Sequence, residues 1–286
     1  MSRESSRPFW RRGASLIAAA AIVTAALIPV HAASGGAPTA APTADATKPT
    51  IVLVHGSWAD SSSFAPVTMI LQNQGYNVVV PPNPLRGLHS DSAYLAAYLQ
   101  QATTGPLLLV GHSYGGAVIT NAAHADPDVL GLVFIDAFAP VEGETTGSII
   151  AGSTSVLNVP DPTTVFNAVA YPGAEHGDVD LYLKPEVFHN SFAQDVPPSV
   201  RAVLAAGQRP AAFFTNIDPS GPPAWATLPS WYILGTLDQV IPPKTQREQA
   251  ERAGSTIVEV RAGHLPMISA PLQVTRVIER AANSVH

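Results

Sequence analysis

The residue types best suited to nucleophilic chemistry begin with Gly111-His112-Ser113-Tyr114-Gly115, a serine inside a G-x-S-x-G pattern. Pro106-Leu107-Leu108-Leu109-Val110 before it is an apolar run of the length a buried strand needs, and Ala117–His124 after it supplies the small residues of a helix packed close to a sheet. In that setting the pattern predicts a sharp strand-to-helix turn that holds the serine hydroxyl clear of the backbone. The glycines have a steric cause. With the serine at positive φ its neighbours are pressed together, and a Cβ would clash.

A serine hydroxyl alone is a poor nucleophile; it needs a base to take its proton and an acid to orient the base. Further along the chain, Gly235–Pro242 carries Asp238 just past the strand-like run Ser230–Leu234. Arg261-Ala262-Gly263-His264 carries His264 just past Thr256–Val260. The order Ser, Asp, His is the one that follows a G-x-S-x-G turn, and both loops fall at the sheet edge that carries Ser113. Of the other histidines, His112 is expected to pack beneath the nucleophile and His55 to hydrogen-bond neighbouring loops, while His89, His124 and His189 are expected to face solvent. Glu175-His176-Gly177-Asp178-Val179-Asp180 has metal-ligand residue types but matches neither H-E-x-x-H nor an EF-hand loop, so an acidic turn is expected there and no metal.

The elements that must position these residues alternate between strand and helix. Strands are predicted at Thr50–Val54, Asn77–Val80, Pro106–Val110, Val129–Ile135, Ser230–Leu234 and Thr256–Val260. Helices are predicted at Phe64–Gln74, from a cap at Ser90 or Asp91 through Gln101, after the serine, at Lys244–Ala253 and at Pro271–Asn283. This alternation implies an α/β fold, a mostly parallel sheet of about six strands with helices on both faces and ligands at the C-terminal strand ends. Residues from about 140 to 229 break the rhythm with ten or more prolines, which forbid long regular elements. A lid insertion after the fourth strand is expected there. Its aromatics, among them Phe166, Tyr171, Phe188, Phe192, Phe213 and Trp225, are expected to form chiefly the lid's own small core and otherwise to wall a pocket.

The N-terminus reads as a signal peptide over residues 1–32, followed by a flexible linker over 33–49 and a single domain over 50–286. Arg3, Arg7, Arg11 and Arg12 precede an apolar stretch from Ala14 to Val30, and Val30-His31-Ala32 offers small residues for cleavage. The stretch is short, Ala-dominated and interrupted by Thr24 and Pro29, which argues against a lasting membrane anchor. A secreted or otherwise extracytoplasmic location follows, with twin-arginine and general export both open. Removing residues 1–32 takes away four Arg and one Glu, leaving 11 basic and 20 acidic residues and a net charge of −9. Neither that charge nor any basic cluster outside the leader suits nucleic acid. The absence of cysteine excludes disulfides, a thiol nucleophile and lipoprotein attachment.

Val52-Leu53-Val54-His55-Gly56-Ser57-Trp58, Gly111–Gly116, Gly235–Pro242 and Gly263-His264 together resemble the α/β-hydrolase superfamily, in particular its compact branch of plant methyl esterases, hydroxynitrile lyases and small bacterial esterases. The resemblance implies an oxyanion hole from two backbone N–H groups, that of Tyr114 after the nucleophile and that of Ser57 after the first strand. It also makes Asp136, at the end of Val133-Phe134-Ile135, a competitor for the acid, since some members of the wider fold take it from that strand; Asp238 has the better local motif. The hydroxynitrile lyases look to a lysine after the catalytic histidine and a threonine after the first strand, where this chain has Leu265 and Gly56. The expectation is therefore an exported serine hydrolase of carboxylic esters of small to medium apolar substrates. Ser113, His264 and Asp238 would be its catalytic residues, a small-molecule ester its partner, and no cofactor would be needed. A lactonase, a cofactor-free perhydrolase or lyase, or a non-catalytic ligand-binding homologue are the alternatives.

Overall fold

Strands covered by helices on both faces must be apolar at every position rather than at alternate ones, and this chain's apolar runs become such strands. The computed structural model describes residues 48–285. The expected signal peptide and nearly all of the expected linker lie outside the described residues. β1 (Thr50–Val54), β2 (Val78–Val79), β3 (Leu107–His112) and β4 (Val129–Ile135) come first. β5 (Phe166–Val169), β6 (Asp180–Leu183) and β7 (Ala211–Ala212) lie in the proline-rich segment, and β8 (Ser230–Gly235) and β9 (Thr256–Val260) follow it. The six predicted strands pair in the order β2-β1-β3-β4-β8-β9, every pair parallel. Every residue of β1 and β3 is buried.

The helices α1 (Ala65–Asn73), α2 (Leu88–Ala102) and α3 (Tyr114–Ala122) are joined later by Pro243–Arg252 and Pro271–Ala282. α1 packs on Pro271–Ala282 and α2 packs on α3, one pair on each face, as right-handed crossovers require. From β1 the chain moves outward to β2, and from β3 it moves the other way to β4. The strand order therefore reverses between β1 and β3, and the crevice above their carboxyl ends is where such a sheet binds ligands.

The start of α2 differs from expectation. Ser90 and Asp91 lie inside its first turn and Gly87 takes the cap position. Asp91 serves the helix end from within, because its buried carboxylate accepts from the amides of Arg86 at 3.1 Å and Gly87 at 3.4 Å. Two N–H groups that the helical ladder leaves free are thereby satisfied.

Residues 140–229 hold a three-stranded antiparallel sheet, β5-β6-β7, and helices of at most nine residues, the longest being Pro198–Ala206. The aromatics there do not chiefly form a separate core. Phe188 and Phe192, on one π-helical turn, are fully buried in the main core. Phe192 meets Trp58 edge-on at 6.0 Å, and Phe166 stacks on Trp58 at 5.6 Å. Phe213 is 44% exposed. Three strands of two to four residues are too small to enclose large rings, so the rings are buried against the parallel-sheet domain instead.

Candidate active site

The serine turn is built as its glycines demand. Ser113 sits between β3 and α3 at φ 52°, ψ −124°, a conformation that costs a non-glycine residue free energy and has to be held by its surroundings. The Ser113 amide donates to Ile135 O at 3.1 Å, and the Ser113 carbonyl accepts from Gly116 at 3.0 Å and Phe138 at 3.1 Å. A Cβ on Gly111 would lie 2.6 Å from the Gly115 carbonyl oxygen, so the crossing of β3 and α3 admits no side chain there.

The structure brings Ser113, His264 and Asp238 into one hydrogen-bonded line. His264 Nε2 lies 3.0 Å from Ser113 Oγ, and His264 Nδ1 lies 2.7 Å from Asp238 Oδ2. An ionised carboxylate only accepts, so the proton of neutral His264 belongs on Nδ1 and its Nε2 is free to accept from the serine hydroxyl. Asp238 Oδ1 also accepts from the amides of Val240 at 2.7 Å and Ile241 at 3.1 Å, and Asp238 Oδ2 from Gln246 Nε2 at 2.8 Å. All three side chains are almost wholly enclosed, with Ser113 only 2% exposed.

Ser57 and Tyr114 flank the serine. Tyr114 opens α3, so its N–H is one of the amides that a helix leaves without an intrahelical acceptor. The loop of Ser57 is pressed against the nucleophile: a Cβ on Gly56 would lie 2.6 Å from Ser113 Cβ. Neither amide donates to a protein acceptor among the described residues. The Tyr114 hydroxyl is turned away and donates to Asp91 Oδ2 at 2.8 Å.

Asp136, the competing acid, is fully buried at φ 41° and accepts from the Gly235 amide at 2.5 Å. One of its oxygens, one oxygen of Asp238 and one ring nitrogen of His264 lie within 4.8 Å of one another. Those Asp238 and His264 atoms are engaged with each other, and a bound ion would have to break that contact. His264 is bonded to Asp238 and not to Asp136.

The remaining histidines divide. His55 is buried, with Nδ1 donating to Gly56 O and Nε2 accepting from the Asn83 amide, both at 3.0 Å. His89 and His124 are exposed, and His124 also bonds Pro222 O at 3.0 Å. His189, expected in solvent, is half-buried with its ring edge against Phe188, because the π turn rolls it toward the core. In the acidic turn, Asp178 accepts from Tyr171 and Asp180 pairs with Arg86 at 2.8 Å.

A largely apolar cleft lies beside the line, walled by Trp58, Phe188, Phe192, Leu204, Leu265 and Ile268. Phe192 also packs on the His264 ring at 5.3 Å.

The alpha/beta hydrolase family profile matches residues 51–277. The chain belongs to the alpha/beta hydrolase family. This hydrolase is 26% identical over 249 residues to a pyrethroid hydrolase from Sphingobium wenxiniae, across 82% of this chain and 88% of that one. It is 24% identical over 260 residues to methylesterase 17 of Arabidopsis thaliana, across 83% and 92%. Among solved structures, polyneuridine aldehyde esterase matches with a TM-score of 0.70 at 19% identity, across 82% of this chain and 100% of that one, a likeness of fold. The relatives thus include the plant methylesterases that the motifs resemble.

Two residues of the site escaped the sequence reading. Gln246 reaches Asp238 from the first turn of Pro243–Arg252, and a helix beginning at the Pro242-Pro243 pair was the available signal, since it turns residue 246 back toward the acid loop. Phe192 had no such signal, because its aim at His264 depends on the π turn.

Proposed function

We propose that this hydrolase is an exported serine esterase cleaving carboxylic esters of small to medium apolar substrates. The reading rests above all on the unbroken hydrogen-bond line from Ser113 Oγ through His264 to Asp238. Ser113 Oγ attacks the ester carbonyl carbon as His264 Nε2 takes its proton. The negative charge that forms on the carbonyl oxygen is stabilised by the amides of Ser57 and Tyr114, each such donor being worth about 2.7–4 kcal/mol of barrier. The bond to the alcohol oxygen then breaks while His264 returns the proton to it. Water, deprotonated by His264, attacks the acyl-enzyme and releases the acid and Ser113. Asp238 keeps the imidazole in the productive tautomer and stabilises its charged form throughout.

The apolar cleft beside His264 supports an apolar acyl or alcohol group, and names among the relatives that specify esterases support the ester bond. Export is inferred from the leader sequence alone. A fluorophosphonate probe tests the central reading, because only an activated serine reacts with it. Labelling at Ser113 together with turnover of nitrophenyl esters is the expected result. A folded protein that takes up neither the probe nor any ester would instead be a binding homologue.

A further inference from the structure

Asp136 is a fully buried carboxyl beside the Ser113–His264–Asp238 line that the mechanism does not use. The two carboxyls are held under unequal conditions. Asp238 receives four donors: the Val240 and Ile241 amides, Gln246 Nε2 and His264 Nδ1–H. Asp136 receives the Gly235 amide on Oδ1, while its Oδ2 is buried without a partner. Gln246 Oε1, on the side-chain amide that donates to Asp238, is likewise buried and unpartnered. Two bare acceptors in one dry pocket would each forfeit about 1–3 kcal/mol. A single proton on Asp136 turns Oδ2 from an orphaned acceptor into a donor.

Charge leads to the same assignment. The titratable groups facing Asp136 are Asp238 and Tyr232 around β8, Asp195 of the insertion and His264 after β9. Tyr232, bonded to the Ala137 backbone, and Asp195, bonded to the Gly263 amide, are groups that can only be neutral or negative, so neither offsets a charge on Asp136. Two ionised carboxylates within 4.8 Å and out of water repel strongly, and one of them keeps a proton. Burial first, and the Asp238 charge second, push the Asp136 carboxyl well above the usual carboxylate range.

We propose that Asp136 and Asp238 form a carboxyl pair with one negative charge between them, in which Asp238 carries the charge toward His264 and Asp136 remains a neutral acid. The role deepens the esterase reading and rests on it; the protonation state can be tested without it. A neutral acid has one hydroxyl and one carbonyl oxygen, and an asparagine side chain reproduces that donor–acceptor pair without charge.

Infrared spectroscopy of protein carrying ¹³C-labelled aspartate reads the proton directly. At pH 7 the parent is expected to show the carbonyl stretch of a protonated carboxyl, and Asp136→Asn to lack it. Ser113→Ala should keep the band, which separates it from catalysis. In ester assays Asp136→Asn is expected to keep kcat/KM within about threefold and to leave the acid limb of its pH profile in place. Absence of the band in the parent would overturn the pair, a result that needs no variant to fold. A hundredfold or greater loss in folded Asp136→Asn, with a displaced acid limb, would also overturn it by making Asp136 the charged acid. If the parent cleaves no ester but shows the band, the esterase reading fails and the shared charge stands.

Discussion

His112 Nε2 donates to the backbone carbonyl of His264 at 2.8 Å, so the residue before the nucleophile holds the loop of the base. A carbonyl only accepts, which fixes the Nε2–H form of the His112 ring. Burial, with the neighbouring His264 second, keeps that ring's pKa well below the ordinary histidine value, so it stays neutral and reliably a donor. The rings lie 4.8 Å apart, and this one hydrogen bond joins two loops through residues 152 positions apart in the chain.

Replacing His112 by Phe is expected to leave the His264 carbonyl buried without its donor, at a cost of about 1–3 kcal/mol in stability. Because the bond sets the position of the base rather than contacting substrate, kcat should fall about tenfold with KM little changed. Thermal unfolding and nitrophenyl ester kinetics on one preparation check both. An unchanged kcat would show that the loop holds its place without His112.

Ser113→Ala is expected to remove ester hydrolysis and probe labelling while leaving the fold intact, with a residue of about 10³–10⁴-fold catalysis over water from the oxyanion donors. Asp238→Asn should lower kcat by about 10⁴, since an amide that presents its nitrogen to His264 stabilises the wrong tautomer. The comparison that matters is with Asp136→Asn. Should that substitution be the crippling one and Asp238→Asn be tolerated, the acid has been assigned to the wrong strand.

How much of this was legible follows from the range of each interaction. The serine turn is a local event, written in five consecutive residues between a strand and a helix. Asp238 and His264 could be placed because a parallel sheet delivers every strand end to one edge. The cap of α2 differs because Ser90 and Asp91 have the preferred side chains, whereas Gly87 is set by a close approach, a Cβ there lying 2.6 Å from Asp218 Oδ2. The hold of His112 on His264 and of Gln246 on Asp238 depends on how two loops meet, which no local pattern encodes. Phe188 and Phe192 are expected chiefly in the insertion's own core, yet both are buried in the main core, Phe192 against Trp58 and Phe188 against Phe192.

The leader predicts a mature N-terminus near Ala33. Edman degradation or intact mass of protein from the culture medium reads it directly. Protein that keeps Met1 and accumulates in the cytoplasm would contradict export, without touching the assignment of Ser113.

His55 gives the hydrolase a pH dependence of stability. Its Nε2 accepts from the Asn83 amide, so a proton added there would face another proton. Burial is the largest cause of a pKa lowered to about 4 from an ordinary 6.5. The unfolded chain therefore binds the proton first, and stability that is full above pH 6.5 is lost as the pH falls toward 4, by about 3 kcal/mol in all. His55→Gln cannot titrate there. The stability gap between parent and variant in urea should narrow by that amount between pH 7 and pH 4. A gap independent of pH would mean that His55 accepts its proton in the folded state.

Phe192 lines the apolar cleft and packs on both His264 and Trp58, with ring centres 5.3 Å and 6.0 Å away. Shortening it should join the cleft to the space above Ser113 and favour longer acyl chains. Phe192→Ala carries the usual penalty of about 3–5 kcal/mol for a buried ring, so Phe192→Leu, which leaves a smaller void, serves as the milder partner. Both are expected to raise kcat/KM for nitrophenyl octanoate relative to the acetate, Ala more than Leu, by about tenfold for each 1.4 kcal/mol of new apolar contact. Nitrophenol release across a series of chain lengths measures it. A uniform decrease at every length would mean that the ring only supports His264 and that the long chain enters by another route.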